Sequence, residues 1–215
     1  MNIDKFKNIV ESLLKQDNVV GISIATRPDV ISDEYYNYFE KLNKKTFLTV
    51  ELGLQSSNES TLKLINRGHD TKSFENAVNK LHKLNIFIVA HIINGLPYET
   101  KKDMLNTVKF LNNLKVDAVK IHMLHILKGT EIEKIYNKEK FHILTKEEYI
   151  DIVIHQLEIL DEKIVIERIT GDPIIDDLIA PLWLTKKFCL LNDIDKEMVK
   201  RDTCLLYTSD AADDL

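Results

Sequence analysis

Cysteine is almost missing from this chain: only Cys189 and Cys204 occur in 215 residues. No CxxC or CxxxCxxC spacing exists, and zinc or iron–sulfur centres usually take four thiolate or imidazole ligands, so none is expected from this chain alone. Scarce thiols fit a cytoplasmic protein without a disulfide framework. Long apolar runs are missing too; nothing approaches the roughly eighteen residues that a membrane-spanning helix needs, so no membrane partner is expected. The opening MNIDKFKNIVESLLKQ breaks every potential signal-peptide core with charge and reads instead as an amphipathic helix. An excess of positive charge is also lacking. The net charge of -5 withholds the basic footprint of a nucleic-acid binder, while leaving room for a local basic groove.

Apolar residues at 44% and charged residues at 29% suffice for one packed domain, or one domain with a short appendage. The end of the chain is unusual. Cys204 to Asp214 reads CLLYTSDAADD, which resembles the translation of a transposon-end adapter used in sequencing libraries. Residues 204–215 are therefore expected to be a non-native tail, against the alternative of a natural acidic one, with the native sequence stopping near Thr203. Nothing repeats, and no linker or low-complexity segment precedes that tail.

Strand and helix patterns alternate along the rest. Phe6, Ile9, Val10, Leu13 and Leu14 share one face of a helix predicted over 3–16. VVGISIATRPD reads as a short buried strand, and Ser32 as the N-cap of the next helix. FLTVELGLQSS, IFIVAHIINGLP, AVKIHMLHI and KIVIERITGD are further strands. Helices are predicted over 71–84, 100–114 and 145–160, with a polar turn after GLQSS and only short helical turns after Asp172.

Strands joined in this way by helices imply a parallel sheet with right-handed crossovers. Either a doubly wound sheet or part of a barrel would satisfy that, and side-chain alternation favours the barrel. Val50, Leu52 and Leu54 face one way, while Thr49, Glu51, Gly53 and Gln55 face the other. Lys120 and His122 likewise oppose Val119, Ile121 and Met123. A doubly wound sheet is covered by helices on both faces and favours apolar residues on both. Five strands do not close a barrel, so an incomplete one is expected. Its active site belongs at the C-terminal strand ends, which read TRPD, GLQSSNE, HIINGLP, HMLHILKGT and RITGD.

The runs GISIATRPD, VELGLQSSNESTLKLINRGHD, VAHIINGLPYET, KIHMLHILKGT and LIAPLW resemble a bacterial branch of the radical S-adenosylmethionine superfamily related to the catalytic subunit of Elongator. The resemblance covers about residues 2–202. It implies an α/β fold, a partial (β/α) barrel of the radical SAM type that lacks the N-terminal strands. Residues 1–170 would form that core and 171–203 a C-terminal extension packing on it. The cofactors implied are S-adenosylmethionine and, in an intact parent, a [4Fe-4S] cluster on a CxxxCxxC loop absent here, which makes Met1 an internal or misassigned start. The parent would take electrons from a donor such as flavodoxin or ferredoxin. It would cleave S-adenosylmethionine reductively to a 5'-deoxyadenosyl radical, which abstracts hydrogen from an unidentified substrate. This chain alone is expected to be inactive.

The same resemblance assigns Gln55 and Ser56 to a loop touching the ribose and methionine parts of the cofactor, Arg67 to its carboxylate and His91 to a ribose contact. A guanidinium fork suits a carboxylate, although Arg67 could equally be a surface arginine near a helix end. Asn94 and Gly95 lie in a turn where glycine lets backbone approach a ligand, or which is only a strand-to-helix turn. Glu51, Lys120 and His122 are the catalytic candidates, and Arg27, His125, Lys128 and Arg168 would line the substrate cleft. A mutual Glu51–Lys120 ion pair is the competing reading. Metal ligation by His122 and His125 is disfavoured, because positions three apart on a strand face opposite sides. Tyr149 and Trp183 read as packing residues, and Cys189 as a buried structural thiol. Two rival functions stand beside the leading one: a cluster-independent barrel enzyme using Lys, His and Glu, with Lys120 as a Schiff-base candidate, and an RNA-binding module, which the acidic balance opposes.

Overall fold

Short polar side chains start most of the helices. In the computed structural model, which describes residues 2–185 and 187–203, Asn2 accepts the Asp4 N–H at the head of α1 (Ile3–Leu13). Ser32 precedes α2 (Asp33–Asn43) in the extended conformation of a cap, but its hydroxyl makes no capping bond. Asn58 caps α3 (Glu59–Leu64), and Asp70 caps α4 (Thr71–Lys83). Reciprocal capping boxes, Thr100 with Asp103 and Thr145 with Glu148, open α5 (Lys101–Leu114) and α7 (Lys146–Ile159); Thr130 caps α6 (Glu131–Lys138) between them. Each box satisfies two backbone donors that the helix itself leaves unpaired. The last helix, α8, spans Lys187–Lys200.

The strands are β1 (Gly21–Thr26), β2 (Phe47–Gln55), β3 (Phe87–Asn94), β4 (Ala118–Met123), β5 (Ile126–Leu127), β6 (Val165–Arg168) and β7 (Leu178–Ala180). Five form one parallel sheet in the order β1-β2-β3-β4-β6, and β5 pairs antiparallel with β7 in a small second sheet. This is the expected α/β architecture, a partial barrel.

Alternation decides which face is covered. Leu48, Val50, Leu52 and Leu54 of β2 are fully buried. They share one core with Ile88, Ala90 and Ile92 of β3, Val119 and Ile121 of β4, and Phe39, Phe74, Leu111 and Val153 from four helices. Leu178, Leu184, Leu190 and Ile194 belong to the same core. Burying such side chains is worth about 1.5–3 kcal/mol each, which is why the apolar face holds the helices. Tyr149 is fully buried with its hydroxyl on the Ile169 carbonyl (2.9 Å), and its ring leans on Trp183, as expected of packing residues.

Several expectations change. In α1, Val10 is buried, but Ile9 and Leu13 are over 40% exposed, so the apolar stripe is narrower than its pattern. β1 is half-exposed rather than buried, because it lies at the sheet margin with only β2 beside it. The turn after GLQSS contains α3, whose short length hides its periodicity. The run AVKIHMLHI breaks after Met123, and its end joins β7 instead. The segment beyond Asp172 holds a full helix, α8. Cys189 on that helix is exposed, not a buried thiol. Residues 204–215, with the adapter-like tail and Cys204, lie outside the described residues.

Asn94, at the end of β3, turns toward the helices. Its amide exchanges two hydrogen bonds with Gln156 of α7 (2.8 and 2.9 Å), and Gln156 also donates to the Met104 carbonyl (3.2 Å). Both residues are essentially inaccessible. Gln156→Leu leaves the buried Asn94 amide unpaired and Asn94→Leu leaves Gln156 only its Met104 bond, so each should cost about 1–3 kcal/mol in urea unfolding. The double substitution should cost less than the sum of the two.

Candidate functional site

The other face of the sheet carries a row of polar groups that crosses all five parallel strands. Alternation along β2 puts Glu51 there, and the register sets His91 beside Lys120 on the neighbouring strands. The Glu51 carboxylate accepts from Ser23 (2.6 Å), His91 Nε2 (2.6 Å) and Lys120 Nζ (2.6 Å). Lys120 also reaches Glu167 of β6 at 3.3 Å. The expected Glu51–Lys120 ion pair is therefore formed. His122 stacks on His91 with ring centroids 5.3 Å apart.

Burial pushes the Glu51 carboxyl up, but the bonds from Lys120, Ser23 and His91 together outweigh it and hold the group at about 2. Burial lowers His91 despite the pull of Glu51, so at neutral pH that contact is a hydrogen bond to a neutral ring. His122 falls to about 4, first through burial and then through His91, Arg168, His125 and Lys120 around it. Burial lowers His125 as well, against the charge of Asp172.

His125 corrects the strand argument made for it. Because β4 ends at Met123, the chain turns, and the His125 ring returns toward His122. A side chain at Gly171 would meet His125 Cε1 at 2.8 Å and His122 Nδ1 at 3.9 Å. Both Nε2 atoms are buried without a partner. The rings thus share one neighbourhood, yet no group of three His, Cys, Asp or Glu among the described residues is arranged to hold a metal.

A second cluster forms where β2 ends. The β2–β3 register slips between Gly53 and Gln55, and Gln55 sits at φ 74°, a left-handed conformation that costs a residue with a Cβ about 1–3 kcal/mol. Arg67 donates to the Gly53 carbonyl (2.7 Å), and His69 Nε2 lies 3.1 Å from the same oxygen. A Cβ on Gly53 would stand 2.5 Å from the Arg67 guanidinium and 2.6 Å from the Gln55 amide. Arg67 Nε is buried and unpartnered. Burial, then the charge of Arg27, lowers the pKa of the guanidinium. Arg27 grips Asp29 through two bonds (2.9 and 2.6 Å) and donates to the Gly68 carbonyl (3.2 Å), so it borders this cluster.

Other proposed residues point elsewhere. The Ser56 side chain is fully buried and bonds Glu99, and the Asn94 amide is spent on Gln156. Both are withdrawn from the open face: Ser56 is anchored to the loop before α5 and Asn94 to α7. Gly95 makes its turn at φ 80° with its N–H on Met104 sulfur (3.2 Å); a Cβ there would meet Leu144 at 3.0 Å. Lys128 sits in the turn after β5 and donates to the Asp176 carbonyl (2.8 Å). Arg168 is exposed at the sheet margin, paired in register with Lys120. Sequence reasoning missed Ser23, His69, Glu99, Glu167 and Gly171. Ser23 and Glu167 carried a signal in the same alternation that exposed Glu51, whereas Glu99 and Gly171 acquire meaning only through contacts distant in sequence.

Parallel strands whose polar side chains gather on the inner face and at the carboxyl ends define a barrel enzyme fold. The chain belongs to the radical SAM superfamily: residues 2–111 match the Radical SAM superfamily and residues 116–200 the Radical SAM C-terminal domain. It is similar to the uncharacterized protein YtqA of Bacillus subtilis, 45% identical over 199 residues, which covers 93% of this chain and 62% of that protein. The uncharacterized protein MJ0486 of Methanocaldococcus jannaschii is 33% identical over 202 residues, with 93% of this chain and 63% of that protein covered. In three dimensions the chain is similar to archaeal Methanocaldococcus infernus Elp3 with an N-terminal deletion, at TM-score 0.75 and 25% identity over 86% of this chain and 43% of that one. The chain therefore spans under two thirds of these relatives.

The superfamily's iron–sulfur cluster does not fit the described residues, whose only cysteine is the exposed Cys189 on α8. At the end of β2 the half-buried Arg67 guanidinium keeps one N–H without a partner, a donor of the kind that suits the carboxylate of S-adenosylmethionine, and the absence of a Gly53 side chain lets the ends of Arg67 and Gln55 close over the backbone. No helix among the described residues is long and apolar enough to cross a membrane.

The lowered folded-state pKa values of Glu51 and His122 act in one direction. Protons bind the unfolded chain more readily, so these groups add stability above the unfolded values and lose it as pH falls. The His122 contribution should disappear between about 6.5 and about 4, and that of Glu51 between about 4.3 and about 2. Thermal melts should show the first decline weakened in His122→Gln, and the His122 ring should titrate near 4 by nitrogen NMR. A His122 midpoint near 6.5 would contradict the buried row.

Proposed function

We propose that this chain is the S-adenosylmethionine-holding part of a radical SAM enzyme. The observation that carries the reading is the Gly53–Gln55–Arg67 arrangement at the end of β2, in a chain of this superfamily. Arg67 binds the methionine carboxylate, while Gly53 and Gln55 let the ligand approach the backbone. His91 and Glu51 form the polar floor beside it. Glu51 holds His91 through Nε2 and so fixes the direction of that ring. Lys120 and His122 continue the floor toward the substrate side, where Arg168 and His125 stand. When bound, S-adenosylmethionine supplies an adenosyl group beside a sulfonium. Its reductive cleavage is assigned to a longer parent protein, which would bring the cluster thiolates and meet a flavodoxin- or ferredoxin-like electron donor; no step of it is assigned to these residues.

Lys120 is engaged by two carboxylates, which argues against the rival reading of a Schiff-base lysine, since that chemistry requires a free amine.

Isothermal titration of the 215-residue chain with S-adenosylmethionine tests the reading. Weak but saturable binding is expected. Gly53→Ala displaces the ends of two flexible side chains rather than backbone, so it should fold normally and weaken binding about tenfold, or about 1.4 kcal/mol. Arg67→Met should lose about 1.5–3 kcal/mol of a charge-assisted contact. Equal affinity in all three proteins would refute the site. With a chemical reductant the chain should release no 5'-deoxyadenosine, and measurable release would overturn the assignment of cleavage to the parent.

A further inference from the structure

Gln55 is held in a costly backbone conformation next to a register slip, and the three residues after it are each tied to the same distant segment. The Ser56 hydroxyl bonds the Glu99 carboxylate, and its oxygen accepts the Asn58 N–H (2.9 Å). The Ser57 N–H donates to the Thr107 hydroxyl (3.0 Å), which lies 3.1 Å from the Ser57 hydroxyl as well. Asn58 donates to Asp103 (3.4 Å). Ser56 and Thr107 are buried. Three successive residues bonded to three side chains between 99 and 107 form a strap from the end of β2 to the start of α5. Strained backbone persists only where surrounding contacts over-determine it, and this strap supplies those contacts.

We propose that Glu99, with Thr107, is a positioning residue: through Ser56 and Ser57 it sets the loop that presents Gln55 to S-adenosylmethionine. The proposal rests on the ligand assignment made above. Glu99 touches no ligand in this scheme and acts only through the loop. Its carboxylate is raised first by burial and further by Asp103 of α5, while Ser56 and Thr61 of α3 oppose the rise. Loss of its negative charge weakens the Ser56 bond, and the loop then relaxes.

Two near-isosteric variants of the full chain, Glu99→Gln and Thr107→Val, test this with S-adenosylmethionine as the probe. In the wild type, affinity should fall as pH drops through a midpoint above the ordinary carboxylate range, and the Gln55 and Ser57 amide resonances should shift through the same midpoint. Glu99→Gln should bind at least about fivefold more weakly at neutral pH, with the pH dependence abolished. Thr107→Val should weaken binding similarly and raise hydrogen exchange at the Ser57 amide, with the α5 amides unchanged. Wild-type affinity and pH dependence in both variants would overturn the proposal. If one variant fails to fold, the other decides. If the wild type binds no S-adenosylmethionine, the functional reading fails, and the amide shifts and exchange still judge the strap. A Ser57 amide unaffected by Thr107→Val would then sink it.

Discussion

Glu51 takes hydrogen bonds from three strands, through Ser23, His91 and Lys120. Three donors on one carboxylate repay its desolvation, and that is what permits a charged row on the inside of a barrel. Much else follows from it. The lysine is fixed by two carboxylates, His91 stays neutral with a set orientation, and His122 lies on it as a second neutral ring. An apolar residue at 51 would strand donors on both sides and convert the face into a second core surface. The open, polar side of the sheet exists because this anion is satisfied.

The fold was largely legible in the sequence, because a two-residue alternation is a strong signal. Leu48 to Leu54 are buried at every second position, and the intervening Glu51 and Gln55 announce a half-buried polar face. The misses have physical causes. β1 reads as a core strand from its composition, yet composition does not register that only one neighbour lies beside it. Helices α3 and α6 are short, and α8 follows a segment whose turns broke the pattern.

The site was legible in part, and the limit is sequence distance. Alternation placed Glu51 and Lys120 on one face, and the resemblance singled out His91, which bonds Glu51 beside them. Ser56 and Asn94 lie at the strand ends where the resemblance put them, but their side chains are spent on Glu99 and Gln156, respectively. Motif matching identifies a loop and not the direction of its side chains. The pair His122 and His125 failed in the opposite sense. Strand geometry separated the rings, and the chain left the strand one residue after Met123.

The contacts that fix the cleft also have an order in time. Ser57 finds Thr107 50 positions later, Asn94 finds Gln156 62 positions later, and Glu51 finds Lys120 69 positions later. On the ribosome, each of these polar groups emerges well before its mate. Closing such long loops is slow. A nascent chain stalled before Lys120 would carry Glu51 with two of its three donors, Ser23 and His91.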